Sequence, residues 1–181
     1  MLGCKPKGRN TEQHDIYFTV AETIAGTVQE IKDFWPEADA KIHIDAWRHV
    51  TQVGDFAIEV VPKEDATSMA EPVSTAKLFF INLGGYREGE FDEFHYKMIT
   101  VAADKASAIE VAKQTAFYKH TGFKGAPSHI DDKFGVDVDD IYQIEDILPA
   151  QMKSKYTIRL SAREAAAQDE IHLGYFKLSD L

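Results

Sequence analysis

Two short patterns in this 181-residue chain set a carboxylate beside an imidazole: Glu12-x-His14 and His43-x-Asp45. In extended backbone, residues two apart project to the same side, so each pattern presents acid and base together. If the two pairs met, they would offer two imidazole nitrogens and two carboxylates. That donor set suits a divalent ion such as zinc or manganese. The same groups also make an acid–base pair, with the carboxylate orienting the ring. The plainest use is structural, each ring bonding backbone through one nitrogen and a neighbouring carboxylate through the other. Because both spacings are common, structural hydrogen bonding ranks first, a ligand or metal site second and catalysis third.

Both patterns recur. Glu93-x-His95 repeats the first and His129-x-Asp131 the second, so Glu93, His95, His129 and Asp131 are the expected equivalents. Around the first set, Arg9, Trp47 and Arg48 are candidate recognition residues; an aromatic and a guanidinium side by side also serve as a stacked cover for a core edge. Gly3 with Gly8, and Gly84-Gly85 with Gly89, bracket loops whose glycines are expected to supply turns of positive φ. Neither loop matches a phosphate-binding or dinucleotide pattern. The chain contains no nucleophile elbow and no HExxH motif, and its one cysteine, Cys4, excludes an internal disulfide framework and a multi-cysteine zinc site.

The elements that carry these residues come in duplicate. Leu2, Gly3, Gly8, Glu12, His14, Thr19, Val20 and Ala21 reappear, without a gap, eighty-one residues further on as Leu83, Gly84, Gly89, Glu93, His95, Thr100, Val101 and Ala102. Unrelated segments of this length agree at roughly one or two positions, so a tandem duplication is the economical reading. Ile16, Phe18 and Val20 alternate as a strand from His14. Ile24, Val28, Ile31 and Trp35 keep the spacing of a helix stripe, stopped by Pro36. Lys41–Arg48 and Phe56–Val60 read as strands. In the second copy, Lys77–Asn82 and Phe94–Ala102 read as strands, and Asp104 caps a helix running toward Gly122 with Ala108, Ile109, Ala112 and Ala116 inside. Short strands are expected near 128–134 and 141–147.

The expected fold is α+β: two β-β-α-β-β units, each with a helix packed on a mixed sheet, as in a ubiquitin-like roll, with a ferredoxin-like arrangement as the alternative. The boundaries are 1–62 for the first repeat, which lacks the leading strand seen in its twin, 63–76 for a linker, 77–149 for the second repeat and 150–181 for extra C-terminal strands packing on the repeats.

Net charge is −10, with 44% hydrophobic and 28% charged residues. An acidic chain repels phosphate backbones, which argues against nucleic-acid partners. With no run of about eighteen apolar residues and no leader-like start, a cytoplasmic chain without a membrane partner is expected. With the LGxxxxGRxxEQHD stretch at Leu2–Asp15 and HIDAWR at His43–Arg48 both in view, the chain resembles a small bacterial family of unknown function whose members carry one or two copies of this domain. The second copy departs from it at Phe94 and Tyr96, where the first has Gln13 and Asp15. That resemblance implies the architecture and names no reaction. The expected role is therefore a non-catalytic binding or assembly module, with a homodimer left open. The alternative is a small metal-dependent or acid–base enzyme using the first repeat's pairs. No cofactor is identified beyond the divalent metal that the donor set would accept.

Overall fold

A computed structural model describes residues 1–38, 41–66, 75–87, 89–115, 136–163 and 168–181. The fold is α+β, with three small sheets and short helices. In the first sheet, β1 (Leu2–Cys4) lies between β2 (Gln13–Asp15) and β3 (His43–Trp47), and β10 (His172–Lys177) pairs on the outer side of β3. The second runs β4 (Gln52–Val53), β5 (Phe56–Pro62) and β9 (Tyr156–Ala162). The third places β6 (Lys77–Tyr86) between β7 (Glu93–Ala102) and β8 (Val136–Gln143). Every strand pair among the described residues is antiparallel, so the expected mixed sheet is corrected.

Strand β6 explains its own composition. Leu78 and Phe80 point into a cluster with Ile58, Ile144, Leu148 and Leu160. Phe79, Ile81 and Leu83 point the other way, beneath Ala108 and Ala112 of α3 (Lys105–Lys113). A strand covered on both faces reads as a continuous apolar run rather than an alternating one. Asp104 caps α3, its carboxylate accepting from the Ser107 N–H at 2.8 Å. Ala108 and Ala112 are the fully buried positions and Ile109 is only half-buried, because small side chains let the helix sit close on the sheet.

In the first half, Thr23 caps a 3-10 turn, Ile24–Thr27, which leads into α1 (Val28–Phe34). Ile31 is buried with Leu2, Cys4, Ile42, Ile44 and Leu178. The strand expected from His14 to Val20 stops at Asp15. Beyond it, Tyr17 and Thr19 donate their hydroxyls to Glu30 Oε2 of α1, at 3.1 and 2.6 Å. Ile16 and Phe18 turn to the opposite side, Phe18 packing against Phe80 with ring centroids 5.4 Å apart. Alternation survives here through side-chain contacts, not a ladder, so Phe18 belongs to the central cluster and not beneath α1.

The rest of the chain differs from expectation in two places. Residues 141–147 are not one strand: β8 ends at Gln143 and a helical turn covers Ile144–Ile147. The expected linker opens with a short helix, α2 (Lys63–Ala66). The C-terminal strands pair with the first half: β9 follows β5 from Phe56↔Ala162 to Pro62↔Tyr156, and β10 follows β3. Asp169 fastens that tail further, accepting from the Thr51 and Gln52 N–H groups at 2.8 and 3.2 Å and from the Thr51 hydroxyl. Burial pushes its carboxyl up, but these bonds and the Arg48 guanidinium outweigh it and hold the group below the usual carboxylate range.

Candidate functional site: a ring of two imidazoles and two carboxylates

Strands β1, β2 and β3 lie side by side, and their register sets Gly3 opposite both His14 and His43. Glu12, just before β2, and Asp45, two residues along β3, complete the set. His43 Nε2 stands 3.2 Å from Glu12 Oε1 and 3.1 Å from Asp45 Oδ1. His14 Nε2 stands 3.3 Å from Asp45 Oδ2 and 3.9 Å from Glu12 Oε2. The four side chains close a ring in which acid and base alternate, each carboxylate turning one oxygen to each imidazole. The four candidates Glu12, His14, His43 and Asp45 therefore meet.

Gly3 makes the ring possible. A Cβ on this residue would lie 2.3 Å from Asp45 Oδ2 and 2.5 Å from His43 Nε2. The glycine is there for close approach, since it lies in extended strand; only Gly8 and Gly89 of the bracketing glycines show the expected positive φ, 80° and 81°. The ring is asymmetric in exposure. The His43 side chain is 4% exposed, whereas Glu12 and His14 are 45% and 41% exposed.

Neither nitrogen of His43, nor Asp45 Oδ2, makes a directed hydrogen bond among the described residues. Distances of 3.1–3.2 Å place the carboxylates beside Nε2, yet not along its N–H direction. Two imidazole Nε2 atoms can supply at most two protons to four facing oxygens. A buried polar group left so costs about 1–3 kcal/mol, which a shared cation would offset.

Strands β6, β7 and β8 build a related group. Gly84 lies opposite His95, and Glu93 lies two residues before it on β7. His95 Nε2 is 3.3 Å from Asp139 Oδ2 and 3.9 Å from Glu93 Oε2, the same two separations that His14 makes. One ligand atom from each of Glu93, His95 and Asp139 falls within 4.8 Å of the others. A Cβ on Gly84 would lie 2.3 Å from Asp139 Oδ2. The Tyr86 phenol bonds Glu93, which pushes its own ionisation up. The expected partners His129 and Asp131 lie outside the described residues. The strand beside Gly84 is β8, with Asp137 in the register position that His43 holds opposite Gly3. Asp139 was not among the residues expected from the sequence, where the His-Ile-Asp echo at 129–131 stood out; the alternating Val-Asp-Val-Asp at 136–139 was the available signal.

His14 and His95 both line a cleft of about 210 Å³, with Asp15, Asn82, Lys97 and Asp140. Of the flanking candidates, Trp47 stacks on His172 of β10, centroids 3.9 Å apart and planes 14° from parallel. Arg48 is exposed and acts on Asp169, and Arg9 sits in the exposed turn that its N–H closes onto the Pro6 carbonyl at 3.2 Å. Cys4 is fully buried, its thiol turned to the Ala38 carbonyl and pushed up by burial, so it is not a reactive group. No helix among the described residues is long and apolar enough to cross a membrane.

Over 98% of its length, and 92% of the other chain's, this chain is similar in structure to the protein Il1583 from Idiomarina loihiensis, with a TM-score of 0.54 and 20% identity, a likeness of fold. No curated protein matches it. Residues 9–60, which carry Glu12, His14, His43 and Asp45, match the family described as Domain of Unknown Function (DUF1543).

Proposed function

We propose that the chain is a divalent-metal-dependent binding module whose principal centre is formed by Glu12, His14, His43 and Asp45. The observation that carries this reading is His43: a buried imidazole set between two carboxylates, with neither ring nitrogen making a directed hydrogen bond among the described residues. A first-row ion such as Zn²⁺ or Mn²⁺ is served by imidazole and carboxylate donors together. Bound there, the ion would act as a Lewis acid toward a ligand donor atom. His43 and Asp45 would hold the ion from the buried side, and Glu12 and His14 from the side open to solvent. Glu93, His95 and Asp139, the one group among the described residues whose ligand atoms all lie within 4.8 Å of one another, form a corresponding three-donor site on β7 and β8.

We also infer that 1–62 and 77–149 are tandem copies, joined by 63–76 and completed by the strands of 150–181. Supporting this, the strand orders β3-β1-β2 and β8-β6-β7 correspond, and Gly3↔His14 and Gly84↔His95 hold the same place in each.

Elemental analysis and thermal shift of the full chain with zinc and manganese test the centre. Bound metal raises stability by about 2.7 kcal/mol at a hundredfold excess over Kd. His43→Ala is expected to abolish the shift, while His49→Ala, at an exposed position nearby, retains it. A wild-type protein with no metal and no shift at millimolar ion would reduce the ring to structural hydrogen bonding.

A further inference from the structure

Strand β10 does not follow β3 evenly. Leu173 pairs with Ala46 and Phe176 with Ile44, so Gly174 and Tyr175 together stand against the single residue Asp45. Two residues against one is a β-bulge, which bends a strand and re-aims a side chain. The side chain re-aimed here is Tyr175, whose ring lies on His43 with centroids 4.0 Å apart and planes 31° from parallel. Tyr175 is itself 64% exposed, while His43 beneath it is almost wholly covered. An aromatic left this exposed contributes little to the core, yet its ring contact among the described residues falls on the buried imidazole of the ring.

We propose that Tyr175 is a positioning and shielding residue for the Glu12–His14–His43–Asp45 centre. Its ring fixes the tilt of the His43 imidazole, so that Nε2 stays between the two carboxylates, and covers the ring face from which water or a competing chelator would reach it. The bulge opposite Asp45 is the backbone device that brings it there. The centre is thereby closed on the β10 side and open on the side of Glu12 and His14, so that ligand exchange runs through the open side. This inference rests on the metal-binding reading above.

The test compares wild-type full-length chain, Tyr175→Ala, Tyr175→Phe and His172→Ala. Each is loaded with zinc, and the metal is then withdrawn by excess chelator with a colorimetric zinc indicator as the readout. Loss of an aromatic ring contact of this kind is expected to make release from Tyr175→Ala roughly two- to twelvefold faster. Tyr175→Phe keeps the ring and restores the wild-type rate. His172→Ala removes a different aromatic contact of β10, the stack on Trp47, and leaves the rate unchanged. Equal release rates for wild type and Tyr175→Ala overturn the shielding role while leaving the centre standing. Acceleration in His172→Ala as great as in Tyr175→Ala overturns it too, since loosening of β10 then accounts for both. Absence of bound zinc in the wild type is a failure of the metal centre itself.

Discussion

At the scale of single residues, the candidate site depends on an atom that is missing. Asp45 and His43 reach across β1 only because Gly3 has no Cβ, and the 2.3 and 2.5 Å contacts that one would make involve a carboxylate and an imidazole locked in the ring. Gly3→Ala is therefore expected to abolish the zinc-dependent thermal shift as fully as His43→Ala. Backbone circular dichroism should stay near wild type, because alanine is compatible with an extended strand. A Gly3→Ala protein that binds zinc like the wild type would show that the ring relaxes freely. The four donors were legible in the sequence, since acid and base two apart in extended backbone must share a side. Gly3's task was not: a glycine before a turn looks the same whether it supplies a positive φ or room for another strand's side chain.

At the scale of elements, the two helices pack by different means. α1 inserts Ile31 into the Leu2–Cys4–Ile44 cluster, whereas α3 settles on β6 through Ala108 and Ala112 and leaves Ile109 half-buried. Ile31→Ala should cost roughly 2–4 kcal/mol, the range for a buried aliphatic truncation. Ile109→Ala should cost about half as much, because less of its surface leaves water. Urea midpoints measure both, and equal losses would contradict the difference in packing. The helix stripes, the apolar run of β6 and the tail strands are visible in the sequence because each is a local pattern matched to one kind of burial. The end of β2 at Asp15 is not, since Ile16–Val20 alternates correctly but satisfies itself against Glu30 and Phe80 instead of a neighbouring strand. Nor is the bulge at Tyr175, which exists only through the register of β10 on β3.

At the scale of the whole molecule, the two halves share a core. Ile58 of β5 and Leu160 of β9 pack in one cluster with Leu78 and Phe80 of β6 and with Ile144 and Leu148. Phe18 of the first half packs its ring against Phe80 of the second in a tilted contact, planes 60° apart. Halves that share a buried apolar cluster are expected to unfold together. A single cooperative transition is therefore expected, and the placement of the tryptophans allows a clean test. Both, Trp35 and Trp47, lie in the first half, and Trp47 stacks on His172 of β10, so their fluorescence reports that half together with its C-terminal strand. Phe80→Ala lies in the second half and should cost roughly 3–5 kcal/mol, as buried Phe truncations do. It should lower the unfolding free energy reported by tryptophan fluorescence by the same amount as the hydrogen-exchange stability of the α3 amides. If Phe80→Ala weakens α3 while the tryptophan transition stays at its wild-type midpoint, the halves fold independently and the shared cluster is only a contact between them.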